Sequence, residues 1–203
     1  MIKEFIDMPR LERWIGRTFA FLSPNTWTTL SLIIAVTAWL AVLKHSVLCG
    51  AGLFALSSFM DLVDGKVARY TGHATGLGAF WDGTVDRCVD ALMILCFFSL
   101  DLPPAILPKE ILLFLLLFFT LLPPFIVAYA NHRGAVPDPT EKVIWRFALR
   151  VEYLVFFIAA ILVHPFSPAW SLGLVYAALV LMIATVVQSI ILVFIKSRDY
   201  LKN

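Results

Sequence analysis

The sequence predicts an all-α, polytopic membrane protein with six transmembrane helices and an N-terminal interfacial amphipathic helix. Three observations predict it. Of 203 residues, 61% are hydrophobic and only 15% charged, against about 45–50% and about 25% in soluble domains. Mean hydropathy is +0.88. The apolar residues gather into six runs, with 17 Phe and 6 Trp among them, as expected where rings face acyl chains or lie at headgroup level. No polar segment of about 50 residues or more is available for a soluble accessory domain. A single membrane domain is therefore expected over residues 1–203, with 1–24 as interfacial helix and connection and 25–203 as a six-helix bundle.

The elements follow in order. Leu11, Trp14, Ile15, Phe19 and Leu22 recur at helical spacing, with Glu12, Arg13 and Arg17 between them and Pro9 at the start. This describes a helix lying in the interface plane. Its mixture of acids and bases argues against a cleavable signal peptide. Ser23-Pro24-Asn25 breaks the helix, and a first apolar run covers 27–43. The second, 46–60, has only 15 residues, so it spans a bilayer only if the helix continues through Asp61 and Asp64. The third is its mirror image, polar at Asp82, Asp86, Arg87 and Asp90 and apolar from 91 to 100. The fourth, 111–130, contains Pro123-Pro124, which predict a kink. The fifth covers about 147–163 and carries Arg150 and Glu152; the sixth, about 169–195, is long enough to tilt.

Six spans put both termini on one side with the 2–3 and 4–5 connections. That side then holds 13 Lys and Arg against 2 (Lys44 and Lys109) on the other, so the positive-inside rule places termini and polar motif in the cytoplasm. Cys49, Cys88 and Cys96 form neither a disulfide framework nor a zinc signature and read as small buried hydrophobes. No nucleic-acid partner is expected. His45 and His164 read as interfacial residues of the far side, and His73 as a solvated loop residue near the polar motif.

Asp61 and Asp64 are i, i+3 on one helix, and Asp82 and Asp86 are i, i+4 on the next. Each pair projects from one face, and a short connection makes the helices antiparallel neighbours. Ionised Asp at a helix centre costs about 2.5–3.5 kcal/mol on insertion scales, so the cluster needs cations. Arg69 and Arg87 can neutralise two charges, and hard oxygen ligands suit Mg²⁺ or Mn²⁺ for the rest. Gly65 and Ala68 remove bulk beside the carboxylates. Gly72, Gly76 and Gly78 give the connection freedom to present N–H groups to phosphate, and Arg69 has the fork geometry for phosphate oxygens. From the carboxylates alone, three readings stay open: a metal-dependent enzyme, a cation transporter or channel, and plain ion pairing with Arg69, Arg87 and Lys66.

Residues 61–86, DLVDGKVARYTGHATGLGAFWDGTVD, resemble the signature of the CDP-alcohol phosphotransferases, DxxDGxxARx8GxxxDxxxD. Asp61, Asp64, Gly65, Ala68, Arg69, Gly78, Asp82 and Asp86 fill its eight fixed positions, a match expected by chance on the order of once in ten million. Pro24-Asn25-x-x-Thr28 looks like a further family feature. The resemblance implies a cytoplasm-facing site with two divalent ions. It makes Asp61, Asp64, Asp82 and Asp86 metal ligands, with Asp86 also the general base. Asn25, Thr28, Asp61, Gly65, Ala68, Arg69 and Gly78 would surround the CDP moiety. It also implies a homodimer, and an acceptor hydroxyl that attacks the β-phosphorus of a CDP-linked donor with release of CMP, as in phospholipid biosynthesis.

The continuation Asp86-Arg87-x-x-Asp90-Ala-Leu resembles the family members that use an inositol phosphate acceptor. An acceptor phosphate needs a basic pocket, for which His132, Arg133, Arg146 and Arg150 are the candidates, with Asp90, one more turn along the Asp82/Asp86 face, as a further acceptor-site residue. Arg146 and Arg150, at i, i+4, can grip one phosphate jointly. The plainer alternatives are headgroup binding by Arg133, Lys142 and Arg146, and pairing of Arg150 with Glu152 or Asp90. Glycerol 3-phosphate, inositol and serine stay open as acceptors. The donor stays open between CDP-diacylglycerol, an archaeal CDP-ether lipid and a soluble CDP-alcohol.

Overall fold

The computed structural model describes residues 9–136 and 150–200. Arg146, Lys142 and the first residues of the expected fifth span lie outside the described residues. Seven helices are present among those described: α1 (Pro9–Phe19), α2 (Pro24–Leu43), α3 (Val47–Thr71), α4 (Gly76–Ser99), α5 (Lys109–His132), α6 (Arg150–Val163) and α7 (Pro168–Tyr200). The chain is all-helical there, as the apolar runs predict.

Four helices, α2, α3, α5 and α7, are long and apolar enough to cross a membrane. The other two expected spans fall short for identifiable reasons. Helix α4 has 24 residues but carries Asp82, Asp86, Arg87 and Asp90. Helix α6 is described for only 14 residues, about 21 Å at 1.5 Å per residue. Large apolar side chains such as Phe114, Phe125, Val180 and Phe194 remain exposed around the bundle, which identifies a multi-pass membrane protein whose outer surface suits lipid.

Helices α2 and α3 form a tight antiparallel hairpin. Ala35, Ala38 and Ala51 are almost fully buried. A Cβ on Gly50 would press into the Val42 side chain and stand 3.0 Å from the Ala38 carbonyl. Small residues thus let the backbones approach, the usual device for helix pairs in membranes. The shared core adds Phe54, Met93, Phe97, Leu112, Leu116, Phe157 and Met182 from α3 to α7. A smaller cluster of Ile15, Trp27, Val63 and Val67 joins α1 to α2 and α3.

The α3–α4 connection differs from the flexible, glycine-loosened segment that the sequence suggests. Helix α3 runs through Asp61 and Asp64 and stops at Gly72, whose φ of 69° is the left-handed cap that glycine provides. Three residues later Thr75 caps α4, its hydroxyl accepting from the Gly78 N–H. Gly76 and Gly78 therefore lie in the first turn of α4, and the Gly78 N–H is already paired. This short, capped turn makes α3 and α4 antiparallel neighbours. Pro123 and Pro124 both lie inside α5, which continues unbroken to His132.

Candidate active site

Four helices bring their polar residues to one end of the bundle. Asp61 and Asp64 come from the last turns of α3, and Asp82, Asp86 and Asp90 from successive turns of α4. Thr28 comes from the second turn of α2 and Arg150 from the start of α6. One carboxylate oxygen each from Asp61, Asp64 and Asp82 lies within 4.8 Å of the others. Like charges this close repel strongly in a low-dielectric setting, so the arrangement calls for a shared cation. Asp64 is 4% exposed, and Thr28 Oγ1 donates to its Oδ2 at 2.5 Å. That hydrogen bond fixes the orientation of the Asp64 carboxylate.

Asp86 sits one turn below Asp82. Arg150 Nη1 lies 2.5 Å from Asp86 Oδ1 but donates in good geometry to Asp61 Oδ2, at 2.8 Å. Asp86 Oδ1 is a buried oxygen held by the charge of Arg150, outside good hydrogen-bonding geometry. A buried carboxylate oxygen in this condition has capacity for a proton or a metal. Three converging carboxylates and an under-satisfied fourth form an all-oxygen donor set, and the residues present fit a hard divalent ion.

Asp90 is fully buried beneath the site. It accepts from Arg150 Nε at 3.1 Å and from the Tyr153 hydroxyl at 3.1 Å, and pairs with Arg87 Nη2 at 3.2 Å. This placement makes Asp90 the anchor that orients Arg150 and Arg87. Pairing of Arg150 with Asp90 was one alternative open from the sequence; the pairing extends to Asp61 and Asp86. Arg87 meets the expectation of neutralising the cluster, through Asp86 and Asp90.

Arg69 does not neutralise the aspartates. Its Nη2 pairs with Glu12 Oε1 of α1 at 2.7 Å, with Lys66 Nζ 3.7 Å from the same oxygen. Its side chain is 57% exposed. Gly65 leaves open space beside it, since a Cβ there would meet only Arg69 Nη1, at 3.7 Å. At Gly78 a Cβ would stand 3.2 Å from Asn25 Oδ1, so glycine lets the Asn25 side chain pack against the start of α4. His132 and Arg133 end α5, and Arg133 Nε donates to the Tyr129 hydroxyl with its guanidinium over that ring. Tyr153 and Glu12 escaped the sequence reading. Tyr153 has a signal in retrospect, since it follows Arg150 by one helical turn on the same face. Glu12 read as an ordinary residue of an amphipathic helix.

The sequence model of the CDP-alcohol phosphatidyltransferase family matches residues 21–195. An archaetidylinositol phosphate synthase of Aeropyrum pernix is 44% identical over 69 residues, 34% of this chain and 36% of that protein. Its counterpart from Pyrococcus horikoshii is 38% identical over 87 residues, 41% of this chain and 45% of that protein. In these alignments the chain spans less than half the length of either relative. The fold is shared with the phosphatidylinositol phosphate synthase of Mycobacterium tuberculosis in complex with manganese and citrate. Its TM-score is 0.70 at 23% identity, over 90% of this chain and 88% of that one. The same enzyme with CDP-DAG bound gives a TM-score of 0.65 at 22% identity, over 89% and 90% of the two chains.

Proposed function

Because the chain belongs to the CDP-alcohol phosphatidyltransferase family, we propose that it transfers a substituted phosphate from a CDP-linked lipid to an inositol phosphate, releasing CMP, in phospholipid biosynthesis. The observation that carries this reading is the convergence of Asp61, Asp64 and Asp82 beside an arginine, Arg150, held by Asp61, Asp86 and Asp90. Two archaetidylinositol phosphate synthases among the relatives support an inositol phosphate acceptor, and a structural neighbour bound to CDP-DAG supports a CDP-lipid donor.

Asp61, Asp64, Asp82 and Asp86 would hold two divalent ions, Mg²⁺ or Mn²⁺; the chemistry such ions supply is charge neutralisation on the donor diphosphate. The chain's own residues do the rest. Asn25, Thr28, Gly65, Ala68, Arg69 and Gly78 line the CDP side, with the Arg69 fork directed to phosphate oxygens once it leaves Glu12. Arg150, joined by His132, Arg133 and Arg146, provides positive charge for the acceptor phosphate and brings the acceptor hydroxyl to Asp86. Asp86 takes the hydroxyl proton. The acceptor oxygen then forms its bond to the β-phosphorus as the bond to CMP breaks.

The same reading covers topology. The one domain has six spans, with α4 and α6 completing the set, and α1 lies at the interface. Both termini and the site face the cytoplasm, and two copies form a homodimer. CMP release by purified protein with Mg²⁺, a CDP-lipid and inositol 1-phosphate tests the proposal. Release with glycerol 3-phosphate, inositol or serine in its place would keep the chemistry and change the acceptor.

A further inference from the structure

A proline inside a helix removes a backbone hydrogen bond at a definable place. It has no N–H, so the carbonyl four residues earlier loses its helical donor. For Pro124 in α5 that carbonyl belongs to Thr120, a residue 1% exposed. A buried carbonyl without a donor is costly, and here another helix supplies one: Arg87 Nη1 of α4, at 2.9 Å. The same guanidinium reaches Asp90 Oδ2 at 3.2 Å and Asp86 Oδ2 at 3.6 Å through Nη2. Arg87 thus bridges a carbonyl of α5 to two carboxylates of its own helix. A planar fork held at both ends has one orientation available, which it passes to Asp86.

We infer that Pro124 is a positioning residue for the transfer reaction. By freeing the Thr120 carbonyl it docks Arg87, and through Arg87 it sets the orientation of Asp86. The inference rests on the reading of Asp86 as the proton acceptor. Pro123 frees a different carbonyl, that of Phe119, and serves as the control. An ordinary helix-interior proline is destabilising and its replacement by alanine has no reason to harm turnover. A positioning role predicts that Pro124→Ala strengthens the helix and weakens the reaction.

The test uses full-length protein in detergent, as wild type, P124A, P123A, R87M and the R87M/P124A double variant. Thermal unfolding and CMP release are measured on each. Pro124→Ala is expected to lower kcat about five-fold or more with little change in donor KM, because a displaced base misaligns the reacting hydroxyl. Pro123→Ala should leave kcat within about two-fold, and P124A should add little to R87M, since both act through one contact. Stability supplies a readout independent of catalysis. The rise in Tm on P124A should be larger in R87M than in wild type, where the restored N–H competes with Arg87 for the Thr120 carbonyl. If R87M does not fold, Arg87→Lys, whose single ammonium cannot hold carbonyl and carboxylates together, takes its place. Additive Tm changes, or P124A turning over like wild type, would overturn the inference while leaving the functional reading intact. Coupled Tm changes in a wild-type protein that releases no CMP would instead sink the functional reading, and the positioning role with it.

Discussion

Arg150 Nη1 stands 2.8 Å from Asp61 Oδ2, although the two residues are 89 positions apart in the chain. The same nitrogen lies 2.5 Å from Asp86 Oδ1. Two carboxylates that the signature assigns to metal therefore also hold the arginine assigned to the acceptor phosphate. In the proposed reaction the donor and acceptor halves of the site would share charge through Arg150.

Removing the arginine should separate the two halves. Arg150→Ala leaves Asp90 and its neighbours with less positive charge, and losing one partner of a buried pair costs about 3–5 kcal/mol. The variant should unfold at lower temperature and regain stability in millimolar Mg²⁺. Its Mn²⁺ affinity, measured by EPR, should rise roughly 3–10-fold, because a cation competing for Asp61 and Asp86 is gone. Stimulation of CMP release by a phosphorylated acceptor should disappear.

Asp86→Asn should reduce CMP release by about 10²–10⁴-fold, the range for loss of a general base. Mn²⁺ affinity should change much less than in Asp61→Asn or Asp64→Asn. The three carboxylates whose oxygens lie within 4.8 Å of one another do not include Asp86. Equal loss of metal in all three variants would make Asp86 a ligand only.

Thr28 donates to Asp64 within a buried contact. Thr28→Val should cost about 1–3 kcal/mol of stability by taking a hydrogen bond from a buried carboxyl, and should weaken Mn²⁺ binding in parallel. Thr28→Ser keeps the hydroxyl and should restore both. Isothermal titration with Mn²⁺ alongside thermal unfolding checks the pair of expectations.

Glu12 holds Arg69 at 2.7 Å on an exposed surface. Exposed pairs are worth little, so Glu12→Gln should lower the KM for the CDP donor by only about two- to three-fold. That effect should fade as salt is raised. An increase in KM would show that Glu12 orients Arg69 for the donor instead of competing with it.

Much of this architecture was legible in the sequence because it is local. The i, i+3 and i, i+4 spacings put Asp61 with Asp64 and Asp82 with Asp86, and a short turn made their helices neighbours. The continuation of α3 past Met60 was also readable, since 15 apolar residues fall short of a bilayer. What escaped depends on contacts between distant segments. No spacing rule links Glu12 to Arg69, 57 positions on, or Tyr153 to Asp90, 63 positions away. Arg87 reads as a carboxylate partner from its neighbours, but its second partner is the Thr120 carbonyl of another helix, which Pro124 leaves without its helical donor. The glycines after Arg69 looked like a flexible phosphate loop; a left-handed cap at Gly72 and the Thr75 cap turn them into a tight corner.

Metal-dependent transfer at the aspartate site is tested by CMP release from the purified protein in Mg²⁺ with a CDP-ether lipid or CDP-diacylglycerol, with and without inositol 1-phosphate. Release should require the metal, rise with the phosphorylated acceptor and be lost in Asp86→Asn. Metal-independent release, or release undiminished in Asp86→Asn, would contradict it.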